Sequence, residues 1–223
     1  MVGGIFADQI FWPYFIERPL FYQYRLEQNP VYVTERKEVI IQENTALKNA
    51  IEKVEKVVIG VKTKTKEGNI LEGSGLILTS DGLIITLADL VPQGSTFNFL
   101  VEGTPVPFQI LKRDLKSNLA LVKLEKTNLS AAAFANFRNL KLGERVFLIG
   151  AIFEKNSVQK MVNEGIVKSF NDNSIQANIS ENATLAGSPL FNIEGQVLGL
   201  NTIDAKGKVI AIPISKIKEF TGL

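Results

Sequence analysis

The stretch Ile175–Leu190, IQANISENATLAGSPL, decides how the rest of the chain is read. It leaves a candidate strand at 173–179, crosses a polar segment of small residues, and enters a second candidate strand at 188–193. Ile193-Glu194-Gly195 then turns the chain into GQVLGLNT at 195–202, most of a third strand at 196–203. Lys206-Gly207 turns it again into a fourth, 208–213. The same rhythm runs upstream. Short runs of Val, Ile, Leu and Phe alternate with turn signals such as Glu67-Gly68-Asn69 and Ser80-Asp81-Gly82, at 57–64, 70–79, 83–91, 96–102, 105–112 and 118–124. A softer stretch, 125–142, contains Ala131, Ala132 and Ala133, and two more strands follow at 145–151 and 161–170. Six strands, a connector and six strands predict an all-β fold of two six-stranded antiparallel β-barrels.

Helical spacing is found only at the flanks of this pattern. Asn44-Thr45 offers an N-cap, and Leu47, Ala50, Ile51 and Val54 recur on one face, predicting a helix over 45–56. Pro213 opens a second helix over 213–221, with Ile214, Ile217 and Phe220 on one side. The resulting division is 1–44 as an extension and arm, 45–128 as helix and first barrel, and 129–223 as connector, second barrel and closing helix.

Composition narrows the chemistry. The 223 residues carry 25 basic and 23 acidic side chains, a net charge of +2, so no one-signed field suits nucleic acid, and none is expected as a partner. Cysteine is absent, which removes disulfides, thiol nucleophiles and thiolate metal sites. Histidine is absent too, which removes the usual general base and every Ser-His or Cys-His mechanism. A zinc site would rest on carboxylates alone, so neither metal nor other cofactor is expected. Lys62, Lys64 and Lys66 alternate along one strand and read as its solvated face.

Residues 1–24 hold eight of the nineteen aromatic side chains, among them Phe11-Trp12, Tyr14-Phe15 and Phe21-Tyr22. Asp8, Pro13, Glu17, Arg18 and Pro19 interrupt the stretch, so it falls short of the ~20 apolar residues of a membrane span. So many rings call for cover. Packing against protein in a homo-oligomer, a trimer for preference, is one expectation; lying at a membrane surface below an upstream anchor is the other. Residues 29–43 read as an extended arm, with Val31, Val33, Val39 and Ile41 on one parity.

From about residue 57 onward the motifs, in order, resemble those of bacterial serine proteases of the HtrA/Deg type, within the trypsin-like family. Gly73-Ser74-Gly75-Leu76-Ile77 with Ser80-Asp81-Gly82 is similar to the family's entry hairpin. Ile85 to Val91 is similar to its segment carrying the base histidine, and Asn118-Leu119-Ala120-Leu121-Val122-Lys123 to the one opening on the orienting aspartate. The stretch 175–190 lines up without gaps on the family's nucleophile segment. Gly195 to Thr202 and Ala211-Ile212-Pro213 resemble the strands beyond it. The resemblance implies the double-barrel fold. It also puts Asp89 at the place of the histidine, Asn118 at that of the aspartate and Ala186 at that of the serine, so no catalytic residue is assigned. Thr184, Leu185 and Ala186 occupy its oxyanion turn, with Thr184 for a glycine and Leu185 for an asparagine.

These substitutions predict a pseudoprotease: a catalytically inactive homologue binding peptide or protein segments as a scaffold module. Its extended ligand, a peptide or unfolded segment, would pair along Val209, Ile210, Ala211 and Ile212, the strand the resemblance points to. The family also implies an extracytoplasmic location, periplasmic or at the cell surface. Two alternatives stay open: a serine endopeptidase with a relocated nucleophile, for which Ser188 is the nearest candidate, and a structural subunit paired with an active paralogue. Asp89 as a cation site is weaker, since a single carboxylate is too few ligands.

Overall fold

The computed structural model describes residues 45–154 and 157–223. The aromatic segment at 1–24 and the arm at 29–43 lie outside them, and with them the expectations about oligomer and membrane surface. Residues 46–223 form one compact unit. Helix α1 covers 45–54 and tightens into a 3-10 turn, Glu55–Val57, that delivers the chain into the first barrel.

Seven segments make the first sheet: β1 (Val58–Lys64), β2 (Ile70–Ile77), β3 (Leu83–Leu87), β4 (Thr96–Val101), β5 (Thr104–Val106), β6 (Phe108–Asp114) and β7 (Leu119–Leu124). Their order is β5-β4-β1-β2-β3-β7-β6, so the two ends of the sheet are β5 and β6. Only Pro107 separates these two, at the stretch expected as one strand over 105–112. Proline has no N–H for the ladder and bends the chain there. β5 pairs with β4 and β6 with β7, so one strand broken at a proline carries the sheet round on itself as a six-stranded ring. A second difference matters more for function. The strand expected over 83–91 stops at Leu87, and Ala88–Leu90 form a 3-10 turn that leaves Asp89 exposed.

The second sheet contains β8 (Ala133–Phe134), β9 (Arg145–Glu154), β10 (Ser157–Asn171), β11 (Ser174–Ser180), β12 (Pro189–Asn192), β13 (Gln196–Ile203) and β14 (Lys208–Pro213). The order β12-β9-β10-β11-β14-β13 closes through β12–β13 pairing into a six-stranded antiparallel barrel. β8, from the soft connector, adds to β13 in parallel, a pairing outside the antiparallel expectation. Burial follows the period of two: along β11, Ile175, Ala177 and Ile179 point inward, and Gln176, Asn178 and Ser180 outward. Helix α2 (Ile214–Thr221) buries Ile214 and Ile217 and ends at Gly222 in the left-handed conformation, φ +78°.

One expectation needs correction. Val209–Ile212 lie in β14, and β14 is an inner strand, paired with β11 on one side and with β13 on the other. It has no continuous edge to offer a peptide. The boundary expected at 128/129 falls between the two sheets, and a shared core spans it. One apolar cluster joins Ile59, Leu76, Ile85, Phe99 and Leu119 of the first barrel to Phe147, Ile149, Phe191, Leu200 and Ile217 of the second half. A smaller cluster, with Leu148, Ile175, Leu185 and Leu198, fills the second barrel alone.

Candidate functional site

Ser74, fully buried on β2, ties the two barrels together. Its N–H donates to the Ala186 carbonyl at 2.9 Å, and its Oγ accepts from the Ala151 N–H of β9 at 2.8 Å. Its own carbonyl accepts from Thr86 Oγ1 at 2.7 Å. Glycine on either side permits the close approach. A Cβ at Gly73 would lie 2.4 Å from Leu90 Cδ1 and 2.7 Å from the Ala186 carbonyl, so the residue after Asp89 and the Ala186 peptide meet over that one glycine. Gly187 has φ +78°, and a Cβ there would lie 2.2 Å from the Ser74 carbonyl.

Asp89 and Asn118 face each other on the first-barrel side of this seam. Asn118 Nδ2 donates to Asp89 Oδ2 at 2.8 Å, and the Asp89 N–H donates to Asn118 Oδ1 at 3.0 Å. The Asn118 carbonyl accepts from the Ala88 N–H at 3.2 Å, which fixes the two loops by a third bond. Asn118 adopts φ +54°, a left-handed conformation that asparagine tolerates better than most residues. The loop before it is set by Asp114, whose carboxylate accepts from the Lys116 N–H, the Ser117 N–H and Ser117 Oγ. Those bonds hold the Asp114 carboxyl below its usual pKa, the Ser117 hydroxyl foremost. Arg113 Nε reaches across to the Ala88 carbonyl at 3.3 Å. The pair is thus self-contained: amide and carboxylate satisfy each other, and nothing in it can move a proton as imidazole does.

The turn leading to Ala186 consumes its own donors. Ala183–Leu185 form a 3-10 helix. Leu185 N–H donates to the Asn182 carbonyl at 3.0 Å, Ala186 N–H to Ala183 at 3.0 Å and Ser188 N–H to Leu185 at 3.2 Å. Gly187 N–H goes to the Asn201 carbonyl at 2.8 Å. Four consecutive N–H groups are therefore committed to internal carbonyls, whereas an oxyanion hole needs donors aimed at one outside oxygen. The Leu185 side chain pins this shape: it is 1% exposed and lies so close over Gly150 that a Cβ there would be 2.4 Å from Leu185 Cδ2. Thr184 is exposed and takes no part in that anchoring.

Ser188 is fully buried, and its Oγ accepts from Asn201 Nδ2 at 3.1 Å. Among the described residues Asn201 Oδ1 has no hydrogen-bond partner, although it is buried. Among the described residues no group of three or more acidic side chains is placed to hold a metal ion. The parts that sequence reasoning missed are Ser74 as the link between barrels, Leu185 as the anchor of the turn, and Asn201 beneath it. Ser74 and Asn201 lie within the family-like motifs, but their roles depend on which strands become neighbours.

Residues 73–200 match the family described as the trypsin-like peptidase domain. Among curated proteins, the chain is 31% identical over 156 residues to "Probable periplasmic serine endoprotease DegP-like" of Chlamydia pneumoniae, covering 66% of this chain and 31% of that protein. It is 29% identical over 193 residues to serine protease HTRA1A of Danio rerio, covering 77% of this chain and 40% of the relative. With serine protease HTRA1 of Xenopus tropicalis the identity is 32% over 163 residues, covering 66% and 35%. The chain thus matches about a third of the length of these relatives. The matched residues run from the entry hairpin of β2 to β13, through every element that builds the seam, and the chain accordingly belongs to the trypsin-like peptidase family, in its HtrA/DegP branch.

Proposed function

We propose that this chain is a catalytically silent member of its family that holds extended peptide or unfolded protein segments. The observation that carries the reading is the composition of the seam: the three positions corresponding to the family's triad hold a mutually bonded Asp89–Asn118 pair and Ala186, in a chain without histidine. Neither base nor nucleophile is present in that arrangement. The bonded turn supports the same reading, because the N–H groups of Leu185, Ala186, Gly187 and Ser188 are already spent on internal carbonyls.

Peptide capture by main-chain pairing needs a free strand edge beside the turn, and among the described residues the end of β13, at Ile203, offers one. The Asn201 N–H donates to the Ser188 carbonyl, and the Asn201 carbonyl accepts from Gly187 N–H. Backbone groups alternate sides along a strand, so those of Ile203 point the same way as those of Asn201, past the end of β12. An extended segment adding there would run alongside β13 and leave β14 undisturbed. The periplasmic name of the DegP-like relatives supports an extracytoplasmic location, and membrane attachment or trimer formation would depend on residues 1–44.

The test is labelling by a serine-directed phosphonate together with cleavage of unfolded casein. Neither reaction is expected. Cleavage by the unmodified chain that is lost in Ser188→Ala would establish endopeptidase activity from a relocated site, although the buried Ser188 hydroxyl bonded to Asn201 does not favour it. Binding of an extended peptide, measured by fluorescence anisotropy and weakened by Ile203→Pro, would support the module reading.

A further inference from the structure

Two irregularities of the second barrel coincide on its outer face. Between β10 and β11 the register runs Val167↔Ala177 and then Ser169↔Gln176, so Lys168 is an extra, bulged residue. Between β11 and β14 it runs Gln176↔Ile210 and then Ser180↔Lys208, so residues 177–179 stand opposite Val209 alone. β11 keeps its pairing with β10 at Gln176 and Ala177, and at residues 178–179 it is paired with neither neighbour. Asn178 holds it open on the β10 side, where its Oδ1 accepts from the Ile166 N–H at 2.7 Å. The Cβ position of Gly165 lies 2.1 Å from that same oxygen, so the wedge depends on a glycine. Bulges of this kind re-aim side chains, and here they leave Lys168 exposed beside the outward row of β11.

The opening is a cavity of about 150 Å³ bordered by Lys168, Gln176, Asn178, Ser180 and Lys208, with Val209 and Ile179 toward its floor. Its polar lining consists of two lysines, two amides and one hydroxyl, and no carboxylate. Among the described residues the side chains of Lys168, Gln176 and Ser180 make no hydrogen bond, and neither lysine is in an ion pair; the carboxylate of Asp204 accepts from the Lys208 N–H and lies within electrostatic reach of Lys208. With Asn178 Oδ1 engaged by Ile166, the other end of that amide, an NH₂ donor, remains for a ligand. Donors in excess, positive charge and a small volume together select one kind of guest. We propose that this double bulge is a binding site for a small tetrahedral oxyanion of the inorganic phosphate type, held by Lys168 and Lys208 and oriented by the Gln176 and Asn178 amides and the Ser180 hydroxyl. The site sits on the outer face of β10, β11 and β14 and uses none of the seam residues.

The experiment is an NMR titration of the full chain with inorganic phosphate at constant ionic strength and pH, followed through the side-chain amides of Gln176 and Asn178 and the backbone amides of 177–180 and Val209. Saturable shifts confined to these groups are expected. Each lysine supplies a charge-assisted bond, so Lys168→Met and Lys208→Met should each weaken binding by roughly tenfold and the double variant by more. Both lysines are exposed, so the amide spectrum of each variant should otherwise keep the parent's dispersion. Three results would overturn the proposal: no saturable shift at these groups, equal shifts with chloride at the same ionic strength, or unaltered affinity in the double variant.

Discussion

Replacing Ser74 by alanine removes one oxygen and tests whether the barrels are joined as described. That oxygen accepts from the Ala151 N–H at 2.8 Å in a fully buried position. The substitution leaves Ser74's backbone bonds intact, since its N–H still reaches the Ala186 carbonyl and its carbonyl still accepts from Thr86. What changes is that a buried N–H of β9 loses its acceptor where water has no room. An unsatisfied buried donor costs about 1–3 kcal/mol. With a urea slope of about 2 kcal/mol/M, the unfolding midpoint should fall by roughly 0.5–1.5 M. Thr86→Val should cost less, because it strips one donor from a carbonyl, and under-satisfied carbonyls are better tolerated than orphaned N–H groups. The assay is urea denaturation followed by far-UV circular dichroism, with exposed Ser130→Ala as the control. A midpoint for Ser74→Ala within the error of that control would refute the linking role of Ser74.

Three further outcomes are expected. Leu185→Ala empties a 1%-exposed site over Gly150 and should destabilise the chain by about 2–5 kcal/mol in the same assay. Converting Asp89→His, Asn118→Asp and Ala186→Ser together should leave phosphonate labelling at least about a hundredfold slower than a variant that adds Thr184→Gly and Leu185→Asn, because the Ala186 N–H is otherwise held by Ala183; equal rates would show that the turn opens freely. Lys160 is exposed as a residue, but its ammonium donates to the Val58 carbonyl, and burial of that end lowers its pKa from 10.5 to about 8, against the opposing pull of Glu55 and Glu102. Between these values the unfolded chain holds the proton that the folded chain has released, so Lys160's contribution to stability should rise from about pH 8 to 10.5. Lys160→Met should abolish that rise in urea midpoints measured at pH 7 and pH 10, and an unchanged slope would refute the assignment.

Strands were legible because burial on one face writes a period of two into sequence, as in Ile175, Ala177 and Ile179 against Gln176, Asn178 and Ser180. Pairing is different in kind. Nothing local to Val209–Ile212 shows whether the strand lies at an edge or inside a sheet; that depends on where β11 and β13 come to rest. The closure at Pro107 was hidden for the same reason, since a proline that interrupts a strand and one that ends it look alike until β4 and β7 are in place. At the seam, the residue types at 89, 118 and 186 were open to reading. The bonded turn was not: its shape comes from backbone donors choosing near carbonyls and from Leu185 finding the space above Gly150, a residue 35 positions away.

The apolar cluster that runs through both barrels also determines what happens if the chain is cut. Severed between 128 and 129, each half keeps a closed ring of strands, yet each uncovers a face built to be covered by the other: Leu76, Ile85 and Leu119 on one side, Phe147, Phe191 and Leu200 on the other. Neither piece would be a self-sufficient protein. Mixed together, they would meet as two subunits of a heterodimer whose interface is as apolar as an interior, and their folding would become a second-order process, dependent on concentration. The single covalent link at the connector thus turns an assembly problem into an intramolecular one.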